Sequence, residues 1–295
     1  MTDCNDLTVL VTGAAGQLGQ ALVATAPKGT HLVAVSRAEL DIGDAAAVAA
    51  QLAQRRPHLL INAAAYTAVD RAEQERDAAF RANGEAPGVL ARVCAEQGVR
   101  LFHVSTDFVF DGLASSPYAT DAATAPLGVY GQSKLAGEQA VQSVGTGTLI
   151  LRTGWVYGAV GHNFMHTMLR LHGERDTISV VADQVGTPTH ARTLARALWA
   201  AAARPALQGI YHWSDAGVCS WYDFAVAIGE EALAAGLLER SAAVQPIATE
   251  DYPTPARRPA YSVLEKSASW RDFDLTPTHW REELRNCLQL LRAMH

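Results

Sequence analysis

Cysteine is scarce in this sequence, which contains four cysteines among 295 residues. Cys4, Cys94, Cys219 and Cys287 form no CxxC motif and no cluster with histidine. This spacing argues against a disulfide framework or a zinc site and indicates free thiols in a reducing compartment. For Cys94 and Cys219 we expect the role of small buried apolar side chains.

Long apolar runs are missing as well. No uninterrupted apolar stretch reaches the length needed to cross a bilayer, so the sequence predicts no membrane partner. The first six residues are acidic and run directly into a predicted strand, which is not the pattern of a signal peptide. We therefore expect a cytoplasmic protein.

Positive charge is not in excess, because the formal net charge is -6. A protein that binds nucleic acid through the phosphate backbone usually carries a basic face, so we expect no nucleic-acid partner. A nucleotide ligand remains compatible with this charge, since local donors can hold its phosphates. Lysine is especially rare: Lys28, Lys134 and Lys266 stand against 21 arginines.

The first half of the chain alternates short β-branched apolar runs with alanine-rich helical stretches. The predicted strands cover residues 7–11, 31–35, 59–61, 100–104 and 148–151. Helices are predicted after the first strand to about residue 26, at 44–55 and at 90–97. This alternation predicts crossover units, and hence an α/β, Rossmann-type doubly wound parallel sheet covered on both faces.

A glycine-rich segment, residues 13–19, joins the first predicted strand to the first helix. Glycines there allow a tight turn, close approach of the backbone to a pyrophosphate, and packing of the helix with its amides aimed at the anion. A glycine motif alone also fits a plain turn. Its place at the start of a strand–helix–strand unit favours a nicotinamide dinucleotide site, with Gly13, Gly16 and Gly19 as candidate residues.

The end of the second strand normally distinguishes the two nicotinamide cofactors. An acidic residue there binds the ribose 2′-hydroxyl, whereas a basic residue accommodates a 2′-phosphate. This chain has Ser36 and Arg37, with no carboxylate until Glu39. We therefore predict NADPH, with NADH as a possible alternative, although Arg37 also fits a solvated surface residue. Asp41 and Ile42 are expected beside the adenine.

Beyond Tyr157 the strand–helix rhythm changes. Helices are predicted at 163–171 and 191–202, strands at 178–181 and 210–213, and a proline-rich loop at 252–259. We interpret residues 1–157 as the NAD(P)-binding domain, to which the chain returns at about 181–213. Residues 158–180 and 214–295 then form a smaller C-terminal substrate-binding lobe.

Tyr130 and Lys134 are four residues apart in a helical segment and so share one helix face. A compact ammonium near a phenol lowers the phenol pKa from about 10, and it can also hold the ribose hydroxyls of the cofactor. Thr106, at a strand end, could orient a carbonyl oxygen toward Tyr130. These groups predict carbonyl reduction, with a hydride from the nicotinamide and a proton from Tyr130.

Two of these assignments have structural alternatives. Thr106 could serve only as a strand-end cap. Asp107 could bind substrate hydroxyls or cap the following turn.

These elements resemble the extended short-chain dehydrogenases and, within them, the dTDP-4-dehydrorhamnose reductase family. The resemblance covers nearly the whole chain and rests on seven segments. They are GAAGQLG (13–19), NAAAYTAVD (62–70), STDFVFDG (105–112), PLGVYG (126–131), RTGWVY (152–157), DQVGTPT (183–189) and PTPARRP (253–259).

The resemblance implies reduction of the 4-keto group of dTDP-4-dehydro-L-rhamnose by NADPH or NADH. The cofactor contacts that it implies are Gly16, Gln17, Leu18, Asp41, Ile42, Ala65, Tyr66 and Thr67. It also implies that Thr106 and Asp107 contact the sugar, that Tyr130 is the acid and that Lys134 holds the cofactor. Trp155 matches a residue that packs on the substrate, although a core tryptophan is the alternative.

The chain departs from the family at three positions. Some members bridge a dimer through Mg²⁺ held by two glutamates, and the aligned residues here are Ala21 and Arg192. Because a hard cation then lacks oxygen ligands, we expect no such metal and a monomer or weak homodimer. Gly154 stands where the family often has serine.

Parts of the sequence are also compatible with other functions. Related dehydratases place Asp-Glu after the threonine, whereas Asp107 is followed here by Phe108, so elimination of water is disfavoured. A reductase of another dTDP-4-keto-6-deoxysugar remains open. A noncatalytic NADP-binding role also remains open, because a fold does not prove catalysis. A relative of this fold is a regulatory subunit of methionine adenosyltransferase.

Overall fold

A computed structural model describes residues 7–145 and 147–294. The expectations for the first six residues, including Cys4, lie outside this part. The strands are β1 (Thr8–Thr12), β2 (His31–Val35), β3 (Leu59–Asn62), β4 (Arg100–Thr106), β5 (Thr148–Thr153), β6 (Val156–Tyr157), β7 (Thr177–Val181), β8 (Val185–Gly186), β9 (Thr189–His190), β10 (Gly209–His212), β11 (Cys219–Ser220) and β12 (Ala243–Ile247).

The helices alternate with these strands in the first half and dominate the C-terminal part. They are α1 (Gln17–Ala24), α2 (Ala45–Arg55), α3 (Val69–Ala72), α4 (Arg76–Phe80), α5 (Ala86–Glu96), α6 (Val129–Gln142), α7 (Phe164–Glu174), α8 (Ala191–Ala202), α9 (Trp221–Ala234), α10 (Ser267–Phe273) and α11 (Trp280–Ala293). A π-helical turn, Arg81–Glu85, joins α4 to α5. None of the helices in the part described is long and apolar enough to span a membrane.

Six strands form one parallel sheet in the order β10-β5-β4-β3-β1-β2. The predicted α/β fold with a doubly wound parallel sheet is confirmed. The chain runs from β1 to one edge at β2 and then from β3 toward the other edge, so the direction reverses between β1 and β3. Such a reversal leaves a crevice at the carboxyl ends of the strands, where ligands bind in open α/β sheets.

Helices cover both faces of the sheet. On one face α1, α8 and α10 bury Leu22, Leu198 and Phe273 against the strands. On the other face α2, α5 and α6 contribute a second core that includes Leu90 and Val141. Burial on both sides explains why the strands are continuously apolar rather than alternating.

The C-terminal lobe has its own core between α7, α9 and α11, beside the short parallel pair of β7 and β12. A capping box starts α9, since Asp223 N donates to Ser220 Oγ at 3.1 Å and Ser220 N donates to Asp223 Oδ2 at 2.8 Å. The sequence did not predict five short strands, because strands of two to five residues carry too little periodic signal. They are β6, β8, β9, β11 and β12. Cys94 and Cys219 are buried free thiols, as predicted.

Helix α6 packs very closely on the π-helical turn. A Cβ added at Gly137 would lie 2.0 Å from the carbonyl oxygen of Asn83. Backbone cannot yield as a flexible side chain does, so only glycine fits there. We expect Gly137→Ala to lower the free energy of unfolding by about 3 kcal/mol, measured by urea denaturation.

Gly173 in α7 provides the matched control for this substitution. A Cβ there would meet nothing nearer than Leu238 Cδ2 at 3.8 Å, so Gly173→Ala should be neutral or slightly stabilising. Equal urea midpoints for the two variants would contradict the packing argument.

Candidate active site

The ends of β1, β3, β4 and β5 open into a cavity of about 550 Å³. Residues from five separate segments of the chain that were predicted as site residues meet there. They are Gly16, Gln17, Leu18, Ala65, Thr67, Thr106, Asp107, Tyr130, Lys134 and Trp155. The cavity lies at the reversal of strand order, because the loops after β1 and β3 both line it.

The other predicted cofactor residues do not line this cavity: they are Gly13, Gly19, Arg37, Asp41, Ile42 and Tyr66. Gly13 has φ +71°, and a Cβ on it would lie 2.6 Å from Ala64 N. A Cβ on Gly19 would lie 2.2 Å from Gly13 O. These two glycines therefore shape the loop itself, and their contact with a cofactor stays a prediction.

The end of β2 lies next to the glycine loop, because Ala14 N donates to Val35 O at 3.1 Å. Arg37 is exposed there. Ser36 donates from its amide and its hydroxyl to Glu39 Oε2, at 2.8 and 2.7 Å, and these hydrogen bonds lower the pKa of Glu39. A carboxylate is thus nearer to the end of β2 than its place in the sequence indicated. Asp41 accepts a hydrogen bond from Gly43 N.

The loop after β3 is held by Asn83, a residue that the sequence reasoning missed. Its side-chain amide accepts from Tyr66 N at 2.8 Å and donates to Tyr66 O at 2.9 Å. It also donates to Ser133 Oγ on α6 at 3.1 Å. Asn83 therefore joins the predicted cofactor loop to the helix that carries Tyr130. No sequence signal for it was available, because a π-helical turn has no simple periodicity.

Helix α6 presents Lys134 to the cavity from a buried position, 2% exposed. Lys134 Nζ donates to Val104 O at 2.7 Å. Burial lowers the pKa of Lys134 to about 8, and the carboxylate of Glu138 opposes this decrease. Lys134 is therefore mostly protonated near neutral pH.

Tyr130 differs from the expectation that Lys134 would lower its pKa. Burial raises the pKa of Tyr130 to about 12, a hydrogen bond with Thr106 opposes the increase, and the Asp107 charge adds to it. The Lys134 ammonium is directed to Val104 O instead of the phenol. Tyr130 is therefore a neutral phenol, which is the form that a proton donor needs.

Thr106 ends β4, Asp107 begins the short helix that follows, and both side chains are buried. Thr106 Oγ1 donates to Asp107 Oδ1 at 3.0 Å and accepts from Phe108 N at 3.2 Å. Thr106 thus caps the short helix that follows, while also lining the cavity. Burial raises the pKa of Asp107 to about 6, and hydrogen bonds from Ser262 and Thr106 oppose the increase.

Gly154 makes room for the Asp107 carboxyl group. A Cβ at residue 154 would lie 2.6 Å from Asp107 Oδ2. Glycine in place of the family's frequent serine at residue 154 therefore leaves the space that the Asp107 carboxyl group occupies.

Trp155 has a left-handed backbone, φ +51°, which is rare for a bulky residue. Its indole stacks on Trp221 with 3.5 Å between ring centroids and 4° between planes. Phe164 tilts against Trp221 at 4.7 Å. All three rings line the cavity, so Trp155 is not only a core residue. Trp221 and Phe164 were missed because each begins an ordinary apolar helix pattern.

The proline-rich loop adds Arg258 to the cavity wall. Its guanidinium binds the carboxylate of Asp70 at 3.0 and 2.8 Å, which ties the C-terminal lobe to the start of α3. The sequence pattern could not pair these residues because 188 positions separate them.

The predicted absence of a bridging metal concerns Ala21 and Arg192. Ala21 is 7% exposed and packs in the core that α1 and α8 share. Within residues 7–145 and 147–294, no three histidine, cysteine or acidic side chains are grouped as metal ligands. The assembly state stays a prediction.

Comparison with known proteins agrees with this geometry. The family model of the RmlD substrate binding domain matches residues 7–293. A dTDP-4-dehydrorhamnose reductase of Burkholderia thailandensis is 42% identical over 293 residues, covering 96% of this chain and 98% of that protein. A dTDP-4-keto-6-deoxy-D-glucose reductase of Streptomyces niveus is 41% identical over 290 residues, covering 96% and 97%.

A solved structure gives the same result. The dTDP-4-dehydrorhamnose reductase of Bacillus anthracis in complex with NADP is 36% identical, with a TM-score of 0.89, and covers 95% of this chain and 98% of that chain. Since the likeness extends over nearly the full length of the chain, this chain belongs to the dTDP-4-dehydrorhamnose reductase family of NAD(P)H-dependent oxidoreductases.

Proposed function

We propose that this chain reduces the 4-keto group of dTDP-4-dehydro-L-rhamnose to give dTDP-L-rhamnose, with NADPH as the hydride donor. The observation that carries the proposal is the meeting of Thr106, Tyr130 and Lys134 in one cavity that also opens onto the glycine loop. A proton donor and a dinucleotide site on the same cavity are what carbonyl reduction requires.

The residues present fit a nicotinamide dinucleotide. The N-terminus of α1 has no side-chain cap and no acidic residue in its first turn, so its amides can take the diphosphate. Gly16, Gln17 and Leu18 would contact the diphosphate. Ala65 and Thr67 would contact the cofactor from the opposite side of the crevice. Lys134 would hold the ribose hydroxyls nearest the nicotinamide. When bound, the reduced nicotinamide supplies a hydride.

The substrate carbonyl would lie between Thr106 and Tyr130. Thr106 would turn its hydroxyl from Asp107 Oδ1 to the carbonyl oxygen, donate its one hydrogen bond there and so orient the carbonyl. Tyr130, held neutral by burial, donates its proton to that oxygen as charge develops there. The Lys134 ammonium is directed to Val104 O, so we assign it to the cofactor ribose and not to the phenol.

The sugar and diphosphate of the substrate would occupy the side of the cavity formed by the C-terminal lobe. Asp107, which lines the cavity, would accept hydrogen bonds from sugar hydroxyls. Trp155 would pack its indole on the apolar face of the 6-deoxysugar.

The direct test follows NADPH absorbance with dTDP-4-dehydro-L-rhamnose generated in place from its keto-sugar precursors. Oxidation of NADPH with formation of dTDP-L-rhamnose supports the proposal. Binding of NADPH without oxidation would overturn it and leave a noncatalytic nucleotide-binding role.

A second candidate substrate is favoured by the Streptomyces relative, because its 41% identity is close to that of the Burkholderia protein. The same assay with dTDP-4-keto-6-deoxy-D-glucose distinguishes the two. A higher kcat/KM for that sugar would move the assignment to it.

The preference for NADPH depends on Arg37. Arg37→Ala should raise the KM for NADPH about tenfold and leave the KM for NADH nearly unchanged, because only NADPH carries the 2′-phosphate that the guanidinium would bind. Arg55, an exposed arginine at the end of α2, offers a control of equal charge change. Equal changes in the two KM values for Arg37→Ala would remove Arg37 from the cofactor site.

A further inference from the structure

The most deeply buried ion pair found in the described residues joins α6, the proposed catalytic helix, to β5. Glu138 and Arg152 have side chains that are 1% and 3% exposed. Arg152 Nη2 donates to Glu138 Oε2 at 2.7 Å, and Arg152 Nε donates to both carboxylate oxygens at 2.9 and 3.2 Å. Desolvation of two charges is costly, so such a pair is weak evidence for stability by itself.

Arg152, on β5, contacts α6, β10 and the segment between β4 and α6. Besides Glu138, its guanidinium donates to Thr120 O in the loop before the helix, at 3.1 Å. His212 Nε2 at the end of β10 lies 3.4 Å from Arg152 Nη1. The guanidinium also lies over the ring of Phe110, 5.1 Å from its centroid. Arg152 therefore holds α6 against β5, β10 and the segment after β4.

Glu138 is one helical turn after Lys134, and Lys134 is one turn after Tyr130. Residues four apart on a helix are neighbours on the same face. The carboxylate is therefore the nearest negative charge on α6 to a lysine that is itself 2% exposed.

We propose that Glu138 and Arg152 are positioning residues for Lys134: the carboxylate keeps the buried lysine charged, and the guanidinium holds that carboxylate in place. Neither residue lines the cavity, so both act through Lys134. The activity part of this inference rests on the proposed function, whereas the charge state of Lys134 does not.

The surroundings of Lys134 make Glu138 the main local source of negative charge. Burial, with the charge of Lys134, lowers the pKa of His103 on β4, so this imidazole stays neutral, and its Nδ1 lies 3.1 Å from Asn62 Nδ2. Besides Lys134 itself, the buried titratable groups on α6 and on the elements packed against it are Glu138, His103, Asp107, Arg152 and Cys94, and Tyr130 lines the cavity. The partly buried groups are Asp70, Glu73 and Arg100, and the exposed ones are Arg71, Arg76, Asp77, Arg81, Glu85, Arg92 and Glu96. Glu73 accepts a hydrogen bond from Val129 N at 2.8 Å, and Val129 precedes Lys134 by about one and a half helical turns.

The scarcity of lysine makes the test direct. Protein labelled with ¹³C at the lysine ε-carbon should give three signals, from Lys28, Lys134 and Lys266. Lys28 is exposed, whereas Lys266 is buried elsewhere and donates to Ser214 Oγ, so Lys266 is an internal control. Loss of one signal in Lys134→Met assigns the resonance, and a pH titration then gives the Lys134 midpoint.

In Glu138→Gln we expect the midpoint of Lys134 to fall by about one pH unit or more, because the variant removes the carboxylate and leaves Arg152 unpaired. Lys266 should not change. The double variant Glu138→Gln/Arg152→Gln removes both charges and should return the midpoint part of the way. An unchanged Lys134 midpoint in Glu138→Gln would overturn the proposal, and so would a double variant that falls further.

Glu231→Gln is the matched control. Glu231 is a buried carboxylate on α9 that pairs with Arg281 and Arg285, and it does not line the cavity. Glu231→Gln should lower the free energy of unfolding, as Glu138→Gln does, but leave the titration midpoint of Lys134 unchanged. If Glu138→Gln does not fold, the double variant still tests the proposal through the same signal, because it also removes the carboxylate and should lower the Lys134 midpoint.

The pH profile gives an independent readout. The alkaline limb of kcat/KM in Glu138→Gln should move to lower pH with the Lys134 midpoint, and activity should approach that of the original chain near pH 6. A loss of equal size at every pH would identify a purely structural role and overturn the charge argument. If the original chain shows no reductase activity, the proposed function fails while the titration still decides this inference.

Discussion

Tyr130→Phe should lower kcat for NADPH oxidation by about 10³-fold while NADPH binds as before, because the substitution removes only the hydroxyl that delivers the proton. The phenol is held neutral by burial, so it carries the proton that the carbonyl oxygen takes up. Steady-state kinetics gives kcat, and fluorescence titration with NADPH gives the dissociation constant. Unchanged NADPH affinity separates loss of chemistry from loss of the site.

Tyr157→Phe is the control for this variant. Tyr157 is 1% exposed, does not line the cavity, and its hydroxyl has no hydrogen-bond partner within the described part of the chain. Removing that hydroxyl should leave kcat unchanged and stability equal or slightly higher. A small loss of kcat in Tyr130→Phe, below about tenfold, would assign the proton to another donor.

Asp107→Asn should make the protein more stable near neutral pH and poorer at binding its substrate. Burial raises the pKa of Asp107 to about 6, above its usual 3.8, so the folded state binds the proton more tightly than the unfolded chain. Stability therefore falls as pH rises from about 4 to about 6, and the cost of the ionised carboxylate is fully present above that range. The gain expected for Asp107→Asn is at most about 3 kcal/mol at pH 8 and vanishes below about pH 4.

Urea denaturation at pH 4 and pH 8 measures this difference. Asp183 is the contrasting control: its desolvation is outweighed by hydrogen bonds from Thr249, which lower its pKa. Asp183→Asn should therefore have the opposite sign, a loss near neutral pH. If Asp107→Asn also lowered the free energy of unfolding at pH 8, the Asp107 carboxylate would stabilise the fold, and substrate binding would not be needed to explain its presence. A rise in the substrate KM supports a role in substrate binding.

The candidate site shows which parts of a cavity can be predicted from local patterns. Tyr130 and Lys134 are four residues apart on a helix, so their common face follows from helical geometry alone. Thr106 ends a strand, and the carboxyl ends of parallel strands meet at one edge of a sheet. Each of these predictions used only the spacing of residues within one element or the rules that join neighbouring elements.

Residues whose roles come from distant parts of the chain were not predicted. Asn83 acts through a π-helical turn, which has no sequence period. Glu138 reads as an ordinary charged helix residue, and only the register of β5 against the neighbouring strands and α6 brings Arg152 to it. Arg258 meets Asp70 from the far end of the sequence.

The pKa of Tyr130 illustrates the same limit. The sequence placed an ammonium near the phenol and predicted a lowered pKa. Electrostatic effects depend on distance, direction and burial, and in the folded protein Lys134 donates to Val104 O while burial raises the phenol pKa. Tyr130 as the proton donor stays a prediction, and its ionisation state could be read only from the structure.

By itself the sequence determined the α/β fold, the position of the glycine loop and the threonine, tyrosine and lysine at the centre of the proposed chemistry. These follow from short-range physics: periodic burial, glycine's freedom to turn, and fixed spacing along one helix or strand. Only the tertiary structure decided which charges are buried together, how Gly154 makes room for Asp107, and how Trp221 stacks on Trp155. Such contacts join residues far apart in the chain, and their energies depend on distances of a few ångströms that local patterns do not specify.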